Sequence, residues 1–183
     1  MLIHRYWDGV ETSFNIWVEQ IIKSLHPNVN IRTWGPGDWD CDLSQVKIED
    51  QIRHESNVAR YKALNELGGM WLDHDVIPLC NLFEATSDNW VSGIGSWREG
   101  CAMRFEPNHP FIKKLLDMIE KAPASNMRSV DVSGAALLNR VRHDITIERR
   151  ITPIDSSGNW VLDVPPIAIH LWETSRQRIS STR

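Results

Sequence analysis

The chain has 183 residues, 42% of them hydrophobic and 24% charged, which describes an ordinary globular protein rather than a disordered or fibrous one. At this length folding removes roughly 70% of the unfolded surface from water, so one domain is expected without a staple, and a bound metal would serve chemistry. A formal net charge of -4 excludes the basic face of a nucleic-acid binder, and Cys41, Cys80 and Cys101, lacking any CxxC pair, exclude a disulfide framework or zinc knuckle.

Met1 is followed by His4, Arg5 and Asp8 rather than by an apolar run, so no signal peptide is expected. No stretch is long enough to span a bilayer, and the expected location is the cytoplasm, with the three cysteines reduced and mostly buried. Leu2 to Trp7 reads as a strand ended by the Asp8-Gly9 turn signal. Phe14, Trp17, Val18, Ile21, Ile22 and Leu25 then form one helical stripe capped by Ser13 and stopped at His26-Pro27-Asn28. Val29 to Trp34 is a second strand, and the order strand, helix, strand favours a parallel α/β sheet.

Gly35 to Asp42 reads as a loop, and Ser44 to Arg53 as polar and weakly helical. Ser56 caps a helix through Leu67 in which Val58, Tyr61, Leu64 and Leu67 face the sheet, and Gly68-Gly69 ends it. Met70, Trp71 and Leu72 form a short buried strand that delivers Asp73 and Asp75 at its carboxyl end, where ligands bind in open α/β sheets. Trp90 to Ser96 and Cys101 to Phe105 are paired strands joined through Arg98-Glu99-Gly100. Pro110 to Lys121 is an amphipathic helix, Ser133 to Val141 a further one, and Ile145 to Ile154 and Trp160 to Leu162 are late strands. No repeat or linker divides the chain, so one unit covers residues 1–174 and a polar, frayed tail covers 175–183.

Two carboxylates one residue apart can reach one ion where a strand gives way to a turn. Hard oxygen ligands suit magnesium or manganese, and an ion held by so few protein groups keeps positions open for diphosphate oxygens. The plain alternative is that Asp-x-Asp is a solvated turn. Nine tryptophans divide between the core and a site where flat rings stack on a base or a sugar, and composition leaves the division open.

The segment Asn57 to Val76, NVARYKALNELGGMWLDHDV, resembles the sugar-binding region of the DxD-containing glycosyltransferases related to yeast initiating mannosyltransferases. Bacterial capsular polysaccharide enzymes and, more distantly, clostridial glucosylating toxins share it. Ile3-His4-Arg5-Tyr6-Trp7 resembles that family's opening strand, whose tryptophan stacks on the nucleotide base. Ser133-Gly134-Ala135 resembles its glycine-containing helix start, and Ala168-Ile169-His170 with Ser175 its closing segment. The resemblance implies a GT-A (Rossmann-like) fold: a single α/β domain with a mostly parallel central sheet flanked by helices.

It also implies a nucleotide-diphosphate sugar donor, a manganese or magnesium ion, a glycan, lipid-linked or protein acceptor, and transfer with retention. Carried over by position, Arg60, Asp73 and Asp75 are the catalytic group and Asp73, Asp75 and His170 the metal ligands. The donor would be bound by His4, Trp7, Asn57, Arg60, Trp71, Asp73, Gly134 and Ser175. Other readings stay open: an ion pair of Arg60 with Glu55 or Glu66, a structural hydrogen bond for His170, and core packing for Trp7. Departures from the family pattern are Asn57 for a common Asp, Trp71 for a common Tyr, and Arg176 for a common Trp. With the short chain they motivate a second reading, a domain that binds a sugar nucleotide or glycan without turning it over.

Overall fold

The computed structural model describes residues 1–94, 96–123, 127–141, 145–154 and 165–171. The chain opens with β1 (Leu2–Tyr6), α1 (Ser13–Leu25) and β2 (Asn30–Trp34), the strand, helix, strand order expected, and β1 pairs with β2 in parallel. Thr12, not Ser13, caps α1: its backbone is extended and its hydroxyl accepts from the Asn15 amide, so Ser13 is already helical. The apolar stripe is also rotated from expectation. Val18 and Ile22 are fully buried, whereas Trp17 packs on Phe14 at the outer face and stays about half exposed.

Two short 3-10 turns, Leu43–Gln45 and Ile48–Asp50, lead into α2 (Gln51–Leu67). The helix starts before Ser56, so Ser56 is not its cap, and Leu67 is exposed rather than turned to the sheet. Its missed first turn is held by polar contacts that carry no hydrophobic period. His54 and Asn57 both bond the Ser133 hydroxyl, at 2.9 and 3.2 Å, and Tyr61 donates to the Ser133 carbonyl at 2.7 Å. Gly68 and Gly69 end α2 with φ of 62° and 95°, and a Cβ on Gly68 would stand 2.5 Å from the Pro107 ring.

β3 (Gly69–Leu72) follows, then β4 (Val76–Pro78), the short helix α3 (Leu82–Ala85), and the antiparallel pair β5 (Trp90–Ile94) and β6 (Trp97–Phe105). Arg98, Glu99 and Gly100 therefore lie in β6, not in a connection; pairing of Gly93 with Arg98 across a shift in register extends the strand. α4 (Pro110–Glu120) matches expectation. The helix expected over 133–141 is α6 (Ala135–Arg140), and an unexpected short helix, α5 (Ser129–Val132), precedes it; the two are separated where the amides of Ser133 and Gly134 both fold back on the Ser129 carbonyl. The strand expected over 145–154 is divided into β7 (Thr146–Glu148) and β8 (Ile151–Ile154) by a turn in which the Arg150 amide bonds Glu148. β9 (Ala168–Leu171) is the last described strand. Trp160 to Leu162 and the tail from Ser175, with Arg176, lie outside the described residues.

The main sheet has the order β2-β1-β3-β6-β5-β7, and only β6 runs against the other five. This is the mostly parallel α/β sheet that the opening units imply, with α2 and α4 on one face and α1 on the other. Strand alternation divides the core: Trp71, Val91 and Phe105 pack toward α2 and α4, while Ile3, Met70 and Trp90 pack toward α1. A second sheet, β4-β9-β8, lies beside α1. Among the described residues no helix is long and apolar enough to cross a membrane. Of the cysteines, Cys101 is buried, while Cys41 and Cys80 are only partly so.

Two buried histidines are locked neutral by their bonds. His26 Nε2 accepts from the Leu82 amide at 2.9 Å, so Nδ1 carries the proton and donates to the Ile22 carbonyl at 2.9 Å. His4 likewise takes the indole N–H of Trp34 on Nδ1 at 3.2 Å and donates from Nε2 to Gly68. Burial lowers the pKa of both from the ordinary 6.5, so their stabilisation is complete above that value and is lost as pH falls below it. His170, whose pKa is raised, contributes in the opposite sense. Between about pH 7.5 and about pH 5.5 the urea midpoint of the chain is expected to fall more than that of His26→Gln, which cannot take the charge; equal falls would disprove the neutral lock.

Candidate active site

The carboxyl ends of β1 and β3 and the opening half of the antiparallel β6 meet at one edge of the main sheet, and a cavity of about 500 Å³ opens there. Trp7, Asn57, Arg60, Asp73, Asp75, Gly134 and His170 all line it. These residues come from five separate stretches of chain, and the topology alone assembles them.

Asp73 is fixed from two sides. Arg60 Nη2 donates to its Oδ1 at 2.6 Å, and the Trp71 indole N–H donates to the same oxygen at 2.7 Å. The Arg60 ion pair is thus with Asp73, not with Glu55 or Glu66. Burial opposes the charge on Arg60, but the Asp73 carboxylate outweighs it and raises the arginine's pKa above its ordinary value. Both bonds fall on Oδ1, so Oδ2 has no protein donor among the described residues. Gly100 makes the approach possible: its φ is 80°, and a Cβ there would lie 2.6 Å from Leu138 Cδ1 and 3.2 Å from Arg60 Nη1.

The turn after β3 brings Asp75 back to the same side. The Val76 amide bonds the Asp73 carbonyl at 3.0 Å, and Arg5, buried beneath, donates to the His74 carbonyl at 2.8 Å. β4 pairs antiparallel with β9, Val76 opposite His170, and the Leu171 amide bonds the Asp75 carbonyl. That pairing sets His170 Nε2 3.5 Å from Asp75 Oδ1. Burial opposes a proton on His170, yet Cys101 and Asp75 together raise its pKa well above the ordinary value. One oxygen each from Asp73 and Asp75 and one nitrogen from His170 lie within 4.8 Å of one another, a set that can hold a divalent ion. An ion and a proton would compete for that nitrogen.

Other expected residues are placed differently. His4 is fully buried, bonded to Gly68 and Trp34, and does not line the cavity. Trp71 is also fully buried and meets the site from beneath, bonding Asp73 through its indole N–H while the Arg60 guanidinium lies 5.3 Å from its ring centre. Trp7 lines the cavity and meets His74 edge-on at 4.7 Å. Asn57 lines the wall while its amide holds Ser133, which anchors the Gly134 turn. Ser175 lies outside the described residues. Arg5, Trp97 and Glu99 were not anticipated. An arginine inside an apolar strand and a carboxylate two residues from a cysteine on another are the only signals the sequence carries for them.

No protein-family model matches the chain, and no curated protein sequence matches it. Solved structures do: the chain superposes on the PaToxG glycosyltransferase with a TM-score of 0.62 over 76% of this chain and 67% of that one, at 15% identity. That likeness establishes the fold, in line with the GT-A-type α/β domain expected. Gly100→Ala is expected to displace Arg60 and to cost about 1–3 kcal/mol in urea unfolding, with Asp73 loosened as a result. An unchanged midpoint would mean that the cavity wall tolerates a Cβ and that Arg60 is not held by close packing.

Proposed function

We propose that the protein is a metal-dependent glycosyltransferase that moves a hexose from a nucleotide-diphosphate sugar to a hydroxyl of a glycan, lipid-linked or protein acceptor, with retention of configuration. The observation that carries this reading is the convergence of Asp73, Asp75 and His170 inside a cavity of about 500 Å³ at the carboxyl edge of the sheet. The cavity lining supports it further: among the described residues the carboxylates Asp8, Glu49, Asp73, Asp75 and Glu99 outnumber the positive groups Arg53, Arg60 and His170. A diphosphate would be repelled from such a lining unless it arrived with a divalent cation.

Asp73, Asp75 and His170 would hold manganese or magnesium, which supplies a Lewis acid for the charge that develops on the departing diphosphate. Arg60 holds Asp73 in orientation and adds a permanent positive charge beside the donor. Asn57, anchored to Ser133 by its amide nitrogen, leaves its carbonyl oxygen to accept from a sugar hydroxyl. Trp7 offers a ring to the base. In front-face transfer the bond from the anomeric carbon to diphosphate oxygen breaks with its electron pair leaving on the diphosphate. The acceptor oxygen bonds the same face of that carbon, and its proton passes to the departing diphosphate oxygen. No protein nucleophile enters this scheme.

The test is a panel of uridine- and guanosine-diphosphate sugars with manganese, followed by release of the nucleotide diphosphate. Release from at least one donor is expected to stop on chelation and to fall about a hundredfold or more in Asp75→Ala. Calorimetric binding of a donor without turnover across acceptors would favour the binding-only reading, and a chain that binds none of the panel with metal present would end the proposal.

A further inference from the structure

Along one wall of the cavity runs β6, where the shift in register against β5 and the positive φ of Gly100 set which side chains the wall presents. Trp97, Glu99 and Cys101, each two residues from the next, all line the cavity. Arg98 turns the other way and donates to the carbonyls of Leu138 and Val141 at 3.0 and 2.8 Å. The wall therefore carries an indole left 49% exposed, then a half-buried carboxylate, then a buried thiol beside His170. Among the described residues no donor hydrogen-bonds to the Glu99 carboxylate, whose charge is met at longer range by His170. A carboxylate in that position has lost part of its water without gaining a protein donor, which is the state of a group that waits for a ligand's hydroxyl.

The wall also adjoins the reacting centre. A Glu99 oxygen lies within 4.8 Å of the Cys101 sulfur and a His170 nitrogen, and His170 belongs in turn to the Asp73 and Asp75 cluster. A ring bonded to Glu99 is thus next to the position of the leaving diphosphate, which is where an accepting hydroxyl must stand.

We propose that β6 is the acceptor wall of this cavity and that its acceptor is a saccharide, with Trp97 packed on the apolar face of a hexose ring and Glu99 accepting from a ring hydroxyl. This inference rests on the glycosyl-transfer reading above. A hexopyranose has a flat C–H face and a rim of hydroxyl donors, and it satisfies both groups together. An alkyl chain would pack on the indole but strip the remaining water from Glu99 without pairing it.

Saturation-transfer NMR on the full chain, with magnesium and UDP or GDP present, tests this against methyl α- and β-glycosides of glucose, galactose, mannose and N-acetylglucosamine. N-acetyltyrosinamide and N-acetylserinamide stand in for protein acceptors. At least one glycoside is expected to receive saturation through its ring protons, with affinity falling about tenfold in Trp97→Ala and in Glu99→Gln and recovering in Trp97→Phe. Nucleotide-diphosphate binding, measured in parallel by calorimetry, is expected to change much less than glycoside binding in each variant. The inference is overturned if no glycoside binds to a chain that binds magnesium and nucleotide. It is also overturned if only the amino-acid amides bind, or if the variants weaken nucleotide and glycoside equally. A glycoside signal that depends on Trp97 in a chain that binds no nucleotide diphosphate would uphold the saccharide wall and sink the transfer reading instead.

Discussion

One carboxylate oxygen, Asp73 Oδ1, ties helix, sheet and cavity together. Arg60 reaches it from α2 and Trp71 from β3, at 2.6 and 2.7 Å. Arg60 is buried, and a buried guanidinium is tolerable only with a counter-charge in contact. The arginine therefore holds the acid as firmly as the acid neutralises the arginine. Because both donors use one oxygen, the other is presented to the cavity without freedom to rotate away. Gly100 gives the guanidinium the space it occupies, so a residue with no side chain helps set the position of a permanent charge in the cavity wall.

The rest of the site depends on the closing of a second, smaller sheet. β4 leaves the Asp73 to Asp75 turn directly and finds its partner in β9, which arrives from the far end of the described chain and carries His170. The pairing is of backbone groups, so it fixes His170 beside Asp75 with no need for an attractive side-chain pair. α2 makes the corresponding connection on the other flank, where His54, Asn57 and Tyr61 converge on Ser133 and bring the Gly134 turn to the cavity. Two long-range closures thus complete a site whose middle is local.

The tryptophans divide along the same lines. Trp71 and Trp90 are fully buried and Trp34 nearly so, filling both faces of the sheet. Trp7, just past the end of β1, and Trp97, on β6, line the cavity, while Trp17 packs against Phe14 on the outer surface. The excess that composition reveals is both core and site, and the partition follows from which strand ends meet at the cavity.

What the sequence determined by itself was whatever depends on neighbours a few residues apart. Alternation and helical period place β1, α1, β2 and α4, paired glycines mark the end of α2, and the run from Met70 into Asp73 and Asp75 marks the acidic strand end. The family resemblance added Arg60, Gly134 and His170, and all three line the cavity. Only the tertiary structure decided where α2 begins, how far β6 extends, and that His4 and Trp71 act from outside the cavity. It also decided that Arg60 pairs with Asp73. The reason is physical: the first turns of α2 are fixed by a serine in another part of the chain, β6 by its register with β5, and Asp73 by donors from two elements. Hydrophobic period reports which side of an element is buried, whereas polar partners are chosen by which elements the fold brings together.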